Sequence, residues 1–166
     1  YHLFHDRNVI QRGASALLNA RLLPVIDGFL KAVRSSMQLR NLNYPVVIMR
    51  SDGSLMNETY ALNHPVETLL CGPAASVMGG AYLGHYPKSV IIDMGGTTSD
   101  IALVKDHLPV RADNGIQIGS WRTFVKGLYV DTFGLGGDSE ICYQENNLFL
   151  SDRRVMPLCI LAAQYP

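Results

Sequence analysis

The stretch SVIIDMGGTTSDIALV, residues 89–104, constrains the fold of this chain more than any other segment. Two apolar runs of strand length flank a short polar segment that contains two glycines and three hydroxyl side chains. Such a segment is poor core material, because buried hydroxyl and carboxylate groups need hydrogen-bond partners. The pattern therefore predicts antiparallel strands at residues 90–93 and 99–104, joined by an exposed turn at residues 95–98. We call residues 95–98 the Gly-Thr turn.

The composition of the Gly-Thr turn favours an anionic ligand. Gly95 and Gly96 have no Cβ atoms, so backbone N–H groups there can converge on a phosphate. Three hydroxyl groups follow that can donate hydrogen bonds to phosphate oxygens: Thr97, Thr98 and Ser99. Asp93 and Asp100 flank the turn and could bind Mg²⁺ through waters or orient a nucleophile, as carboxylates do in phosphoryl transfer. The alternative is a plain hairpin turn, in which the glycines permit positive φ and the threonines suit strand ends.

Two further segments are candidates for ligand contact. DTFGLGGD, residues 131–138, follows an apolar strand, and Gly134, Gly136 and Gly137 could let the backbone pass over a flat adenine or ribose. Its alternative interpretation is a surface loop. CGPAAS, residues 71–76, opens a predicted helix whose free N–H groups could meet an anion. A helix start buried against the sheet is the alternative there.

The rest of the chain predicts a mixed α/β domain. Apolar residues recur at helical spacing from residue 8 to 40, with a kink or break expected near Leu23 because Pro24 and Gly28 follow. PVVIMR predicts a buried strand, NETYAL a short helix, and GPAASVMGGAYLG a helix whose small residues approach a neighbouring backbone. The remainder predicts short strands with a little helix at residues 121–126. We expect one domain, residues 1–166, in which a helical segment (1–43) packs on an α/β core (44–166).

Composition excludes several classes of protein. Hydrophobic residues make up 48% of the 166 residues and charged residues 17%, which is typical of a globular domain. Fourteen basic and fourteen acidic residues give no net charge, so neither nucleic acid nor a membrane is an expected partner. The odd cysteine count, without a CxxC pair, predicts a reducing, cytoplasmic location. The opening without Met predicts a fragment of a longer protein.

The chain resembles the hydantoinase A/5-oxoprolinase family. Four stretches carry the resemblance in order: ALLNARLLPVIDGFL, IMRSDGSL, ETLLCGPAASVMGGAYLG and IIDMGGTTSDIALV, with VDTFGLGGDS after them. The resemblance implies a ribonuclease-H-like lobe of an actin-like ATPase fold, the type shared by actin, sugar kinases and Hsp70, with a mixed sheet flanked by helices. Such proteins have an Asp-Gly-Gly-Thr turn in each of two lobes, and this chain holds the later one.

The same resemblance implies an ATP-dependent hydrolase that phosphorylates the carbonyl oxygen of a cyclic amide, so that water can open the ring. It implies ATP and Mg²⁺ as cofactors, with phosphate held by Gly95, Gly96, Thr97 and Thr98. Asp93 and Asp100 would be the catalytic and metal-binding carboxylates, and adenosine would lie along Gly134, Gly136 and Gly137. Implied partners are the cyclic amide, the N-terminal lobe of the same protein and a hydantoinase B-type subunit. The alternatives are an ATP-dependent carboxylase subunit of the same family and a non-catalytic actin-like nucleotide switch.

The chain departs from the family pattern at three places. The family has Thr-Ser-Thr-Asp where this chain has TTSD, a change that keeps the hydroxyl groups. It has glycine in place of Asp138 and serine in place of Cys71. Because a phosphate repels a carboxylate, Asp138 makes the adenosine assignment weaker than the phosphate assignment.

Overall fold

The computed structural model describes residues 3–5, 7–112 and 114–165, leaving out the side chains of Leu158 and Cys159. Its helices are α1 (Val9–Leu39), α2 (Glu58–Asn63), α3 (Cys71–Gly84) and α4 (Leu158–Gln164), with a 3-10 helix at Pro65–Thr68. The strands are β1 (Val47–Met49), β2 (Leu55–Asn57), β3 (Lys88–Met94), β4 (Ser99–Lys105), β5 (Leu108–Pro109), β6 (Arg111–Ala112), β7 (Gln117–Ile118), β8 (Trp121–Arg122), β9 (Gly127–Leu128), β10 (Val130–Phe133), β11 (Ser139–Gln144) and β12 (Asn147–Arg154). The predicted mixed α/β class is confirmed.

The central sheet has the order β10–β4–β3, with β5 also pairing to β4. β3 and β4 are antiparallel, and their register runs from Lys88 opposite Lys105 to Met94 opposite Ser99. The predicted hairpin around the Gly-Thr turn is thereby confirmed. Every strand pair within the described residues is antiparallel, so the sheet is not the mixed one that was expected. Short turns impose this direction on the β3–β4, β4–β5 and β11–β12 pairs, since parallel neighbours need a crossover of about a dozen residues or more.

Helix α3 covers one face of the central sheet. Ala74 and Val77 of the helix pack with Ala102 of β4 and Leu128 of β9 in a buried cluster. At Gly80 the neighbour of α3 is a side chain and not the backbone that was expected. A Cβ atom at Gly80 would meet the Ile91 side chain, 3.0 Å from Cγ2, because Ile91 fills the space between helix and sheet.

Helix α1 is continuous, so of the kink or break predicted near Leu23 the break is wrong. Asn8 caps it, and its Oδ1 accepts hydrogen bonds of 3.1 Å from the N–H groups of residues 10 and 11. Pro24 lies inside the helix, where it removes one backbone hydrogen bond. Buried residues on both sides of it, Asn19 and Ile26, show that tertiary packing holds the two halves in one helix. Helix α1 contacts the 3-10 helix, α2 and β8.

Short ladders take up the segment between β5 and β10. The helix expected at residues 121–126 is wrong, because β8 pairs with β7 and the ladder continues beyond both. Ile116 exchanges backbone hydrogen bonds of 3.0 Å with Thr123 and Val125. Gly119, with φ of 58°, provides the turn that brings these segments together.

The other sequence-based elements agree with the structure. PVVIMR contains β1, although Val47 at its start is exposed rather than buried. NETYAL contains most of α2. No helix among the described residues is long and apolar enough to cross a membrane. The domain boundary at residues 43 and 44 stays a prediction.

Candidate functional site

The Gly-Thr turn lies exposed at one end of the central sheet. Within the turn, the Gly95 N–H donates to the Thr98 carbonyl at 2.9 Å. No acceptor within the described part of the chain is recorded for the N–H groups of Gly96, Thr97 and Thr98. Free N–H groups in a turn are donors that an anion can use, and contact of this turn with a phosphate stays a prediction.

Asp93 and Asp100 stand opposite each other at the end of β3 and β4, next to the turn. Thr132 of β10 is the partner of Asp100 on its other side, so the three residues form one row across the sheet. Opposed residues of antiparallel strands project to the same face of the sheet. Asp93 and Asp100 lie two residues along their strands from Ile91 and Ala102, so they share the face that packs against α3. Thr132 Oγ1 donates to Asp100 Oδ1 at 2.5 Å and fixes that carboxylate.

The two carboxylates, Asp93 and Asp100, are candidate ligands for Mg²⁺. Among the residues that the structure describes, no group of three or more His, Cys, Asp or Glu side chains could hold a metal ion. Mg²⁺ bound with a nucleotide commonly uses one or two carboxylates, with waters and phosphate oxygens as the other ligands. Asp93 and Asp100 supply the two carboxylates that this mode of binding can use, and their contact with Mg²⁺ stays a prediction.

The second glycine-rich segment lies directly against the turn. We call residues 134–138 the Gly-rich loop. The Gly137 N–H donates to the Gly95 carbonyl and the Asp138 N–H donates to the Gly96 carbonyl, both at 2.9 Å. A Cβ atom at Gly136 would lie 2.5 Å from the Gly96 carbonyl carbon, a separation that only glycine allows. Gly136 and Gly137 are therefore brought against Gly95 and Gly96, and the Gly-rich loop braces the Gly-Thr turn.

Gly134, at the start of the Gly-rich loop, faces open space, with nothing within 4 Å of a Cβ built there. Gly136 is buried, whereas Gly137 and Gly134 are exposed. The proposed contact of these three glycines with adenosine stays a prediction.

Ser99 does not have the role that its sequence context predicts. It is buried, and its hydroxyl donates to the Leu135 carbonyl at 2.6 Å. Because that proton is used to attach the Gly-rich loop to β4, Ser99 is not available to a phosphate. Thr97 and Thr98, by contrast, are exposed.

Two residues of the site escaped the sequence analysis. Thr132 was missed because its contact with Asp100 depends on the pairing of β10 with β4. Arg154 was missed because it reaches the site only through the β11–β12 hairpin, where it stands opposite Ser139. Arg154 Nη1 lies 3.3 Å from Asp138 Oδ1. No local motif signals either contact; only strand pairing reveals them.

The N-terminus of α3 lies at the same end of the sheet. Only residues 85–87 join α3 to β3, so the helix runs back along the strand. Fourteen helical residues and seven strand residues both span roughly 20 Å, which places the start of α3 level with the end of β3. Gly72 in the first turn faces open space, and Cys71 is half-buried as a free thiol. Anion contact by this helix end stays a prediction.

Comparisons with known proteins agree with the resemblance. The profile of the hydantoinase/oxoprolinase family matches residues 12–154. The chain is 29% identical to 5-oxoprolinase 1 of Arabidopsis thaliana over 139 residues, 81% of this chain and 11% of that protein. It is 23% identical to the caprolactamase subunit alpha of Pseudomonas jessenii over 142 residues, 84% of this chain and 20% of that protein. An uncharacterized protein of Methanocaldococcus jannaschii is 27% identical over 122 residues, 72% of this chain and 18% of that protein.

The fold also matches a solved structure, the nucleotide-free form of an acetone carboxylase described as ATP-dependent. The TM-score is 0.70 at 18% identity, and the match covers 90% of this chain and 21% of the carboxylase chain. At this identity the match speaks for the fold alone. The chain thus spans between 11% and 21% of the length of the proteins that it matches.

Proposed function

The chain belongs to the hydantoinase/oxoprolinase family, and from this premise we propose that it is the nucleotide-binding part of an ATP-dependent cyclic-amide hydrolase. The observation that carries the proposal is the Gly-Thr turn, braced by the Gly-rich loop and flanked by two facing carboxylates. The turn offers donors for phosphate oxygens, and the carboxylates offer ligands for the cation that accompanies a nucleotide.

The residues of the chain would bind and orient the reacting groups. When bound, ATP would supply the phosphoryl group that converts the amide oxygen into a leaving group. The N–H groups of Gly96, Thr97 and Thr98 would hold phosphate oxygens, while Asp93 and Asp100 would hold Mg²⁺ or orient water. Donors that are fixed before the reaction stabilise developing charge without further reorganisation. The contacts between the Gly-rich loop and the turn supply that fixation.

The names of two relatives support the substrate class. One is a 5-oxoprolinase and the other a caprolactamase, and both 5-oxoproline and caprolactam are cyclic amides. The match to the acetone carboxylase supports a second candidate function. In it the chain is part of an ATP-dependent carboxylase subunit whose substrates are a ketone and bicarbonate. A third candidate, an actin-like nucleotide switch that transforms neither substrate, would show slow ATP turnover with large nucleotide-dependent changes in assembly.

The deciding experiment measures ADP formation by the full-length gene product with Mg²⁺-ATP. The substrates are 5-oxoproline, hydantoin and caprolactam in one set, and acetone with bicarbonate in the other. Stimulation by a cyclic amide, with ring opening in proportion to ADP, supports the hydrolase. Stimulation by the ketone alone supports the carboxylase. If no substrate stimulates ADP formation while nucleotide alters the assembly state of the protein, both the hydrolase and the carboxylase hypotheses are contradicted.

The intact enzyme would need further protein parts. The opposite lobe would carry the second Asp-Gly-Gly-Thr turn, a hydantoinase B-type subunit would complete the enzyme, and the complex would be cytoplasmic. Calorimetric titration with Mg²⁺-ATP tests whether nucleotide binding needs both lobes. We expect at most weak binding by residues 1–166 alone. Exposed hydrogen bonds to phosphate net only about 0.5–1.5 kcal/mol each, because they replace bonds to water. Low-micromolar affinity with hydrolysis by the isolated chain would contradict the two-lobe arrangement.

A further inference from the structure

A carboxylate faces the turn at the place where an anion is expected. The Asp138 carboxylate lies over Gly96, with Oδ1, Cγ and Oδ2 at 3.7, 3.8 and 3.9 Å from the position of a Cβ there. The backbone fixes this placement, since the Asp138 N–H donates to the Gly96 carbonyl at 2.9 Å. The side chain of Asp138 is only 22% exposed, which weakens screening by water.

Arg154 is the cation that faces Asp138. Its Nη1 lies 3.3 Å from Asp138 Oδ1 and 3.5 Å from Ser139 Oγ. The backbone holds the two residues side by side, because Arg154 pairs with Ser139 and the Val155 N–H donates to the Asp138 carbonyl at 2.9 Å. The end of β12 therefore delivers a positive charge to the Gly-rich loop.

We propose that Arg154 is a positioning residue, which neutralises Asp138 and thereby allows the Gly-Thr turn to accept the phosphates of a nucleotide. This inference rests on the proposed function. A bare carboxylate beside Gly96 repels a phosphate at the turn, whereas a carboxylate paired to a guanidinium presents no net charge. Arg154 acts on the ligand through Asp138, so it contributes to affinity and not to the chemical step.

A double-mutant cycle in the full-length gene product tests this inference, with Mg²⁺-ATP affinity as the readout. Arg154→Gln exposes the charge of Asp138 and is expected to weaken binding about five- to tenfold. Asp138→Asn removes the charge and is expected to leave binding unchanged or tighter. The double variant, Asp138→Asn with Arg154→Gln, is expected to recover affinity to within about twofold of the Asp138→Asn protein.

Three further measurements separate this role from a structural one. The defect of Arg154→Gln should shrink as salt rises from about 0.05 to 0.5 M, because ions screen the repulsion. Arg154→Lys should restore most of the affinity, since lysine keeps the charge. Arg153→Gln is the matched control. The Arg153 side chain is 81% exposed, and its Nη1 lies 3.9 Å from Glu140 Oε1. Its loss should change the affinity for Mg²⁺-ATP less than twofold.

The outcomes distinguish this inference from the function on which it rests. A double variant as weak as Arg154→Gln would overturn the inference, because Arg154 would then contact the phosphate itself. Wild-type affinity in Arg154→Gln would overturn it as well, while leaving the nucleotide-binding function intact. If the wild-type protein binds neither Mg²⁺-ATP nor inorganic pyrophosphate, the proposed function and this inference both fail.

Discussion

Gly136 packs against the peptide group between Gly96 and Thr97, so closely that a Cβ atom would lie 2.5 Å from Thr97 N. The neighbours are backbone atoms that cannot rotate away, and Gly136→Ala must separate the Gly-rich loop from the turn. We expect a loss of about 1–3 kcal/mol in the free energy of unfolding and weaker nucleotide binding. Denaturant unfolding measures the first effect, and calorimetric titration of the full-length gene product with Mg²⁺-ATP measures the second.

The control for this change is Gly134→Ala in the same loop. Nothing lies within 4 Å of a Cβ at residue 134, so its free energy of unfolding should stay within about 0.5 kcal/mol of the wild type. Equal stability of the Gly136→Ala and Gly134→Ala proteins would mean that the two loops are not in contact.

A second prediction concerns the packing of α3 on β3. A Cβ at Gly80 would lie 3.0 Å from Ile91 Cγ2 and 3.1 Å from Cδ1, so Gly80→Leu should overpack the interface by about 1–3 kcal/mol. Gly79→Leu makes the same change of helix propensity, and nothing lies within 4 Å of a Cβ at that position. We expect the Gly80→Leu protein to melt below the Gly79→Leu protein. The reverse order would show that α3 does not lie on Ile91.

A third prediction tests the residues beside the phosphate. Asp93→Asn and Thr97→Ala, made in the full-length protein, should each reduce ATP-coupled turnover by at least about tenfold, because positioned charges and donors carry most of phosphoryl-transfer catalysis. Asp106→Asn is the control, an exposed Asp in the turn between β4 and β5 whose positive φ of 54° suits asparagine equally. Turnover of the Asp93 variant within twofold of the Asp106 variant would remove Asp93 from the site.

A fourth prediction concerns acid stability. Burial acts to raise the pKa of Asp52, but hydrogen bonds from the Ser54 hydroxyl (2.6 Å) and N–H (3.0 Å), with the charges of Arg50 and Arg111, hold that pKa below its ordinary value. A lowered pKa in the folded state stabilises the fold above the unfolded-state pKa of about 3.9. That stabilisation is lost as the pH falls through the lower folded-state value.

The measurement is the free energy of unfolding from about pH 6 down to about pH 2, by denaturant titration. Asp52→Asn should lower stability near neutral pH and flatten its decline below about pH 4. Ser54→Ala removes the hydroxyl donor and keeps the N–H, so its decline should be intermediate. Parallel curves for wild type and Asp52→Asn would contradict the role of this carboxylate.

The sequence determined the parts of this protein that depend on neighbouring residues. The β3–β4 hairpin followed from two apolar runs around Gly95 and Gly96, since a short turn permits only an antiparallel pair. Helix α3 followed from its spacing and from Pro73 in its first turn. The family likewise followed from motifs in a fixed order.

Tertiary structure decided what depends on distant residues. Whether Pro24 breaks α1 was settled by buried contacts on both sides of it, which local propensity does not include. The bond from Ser99 to the Leu135 carbonyl joins residues 36 positions apart, and it turns an expected phosphate ligand into a support for the loop. The approach of Arg154 to Asp138 requires the register of β11 with β12. The local sequence pattern determines the helices and strands, whereas contacts between them are set by packing and strand pairing across the whole chain. The ion pair of Arg154 with Asp138, which sets the charge beside the Gly-Thr turn, is one of those contacts.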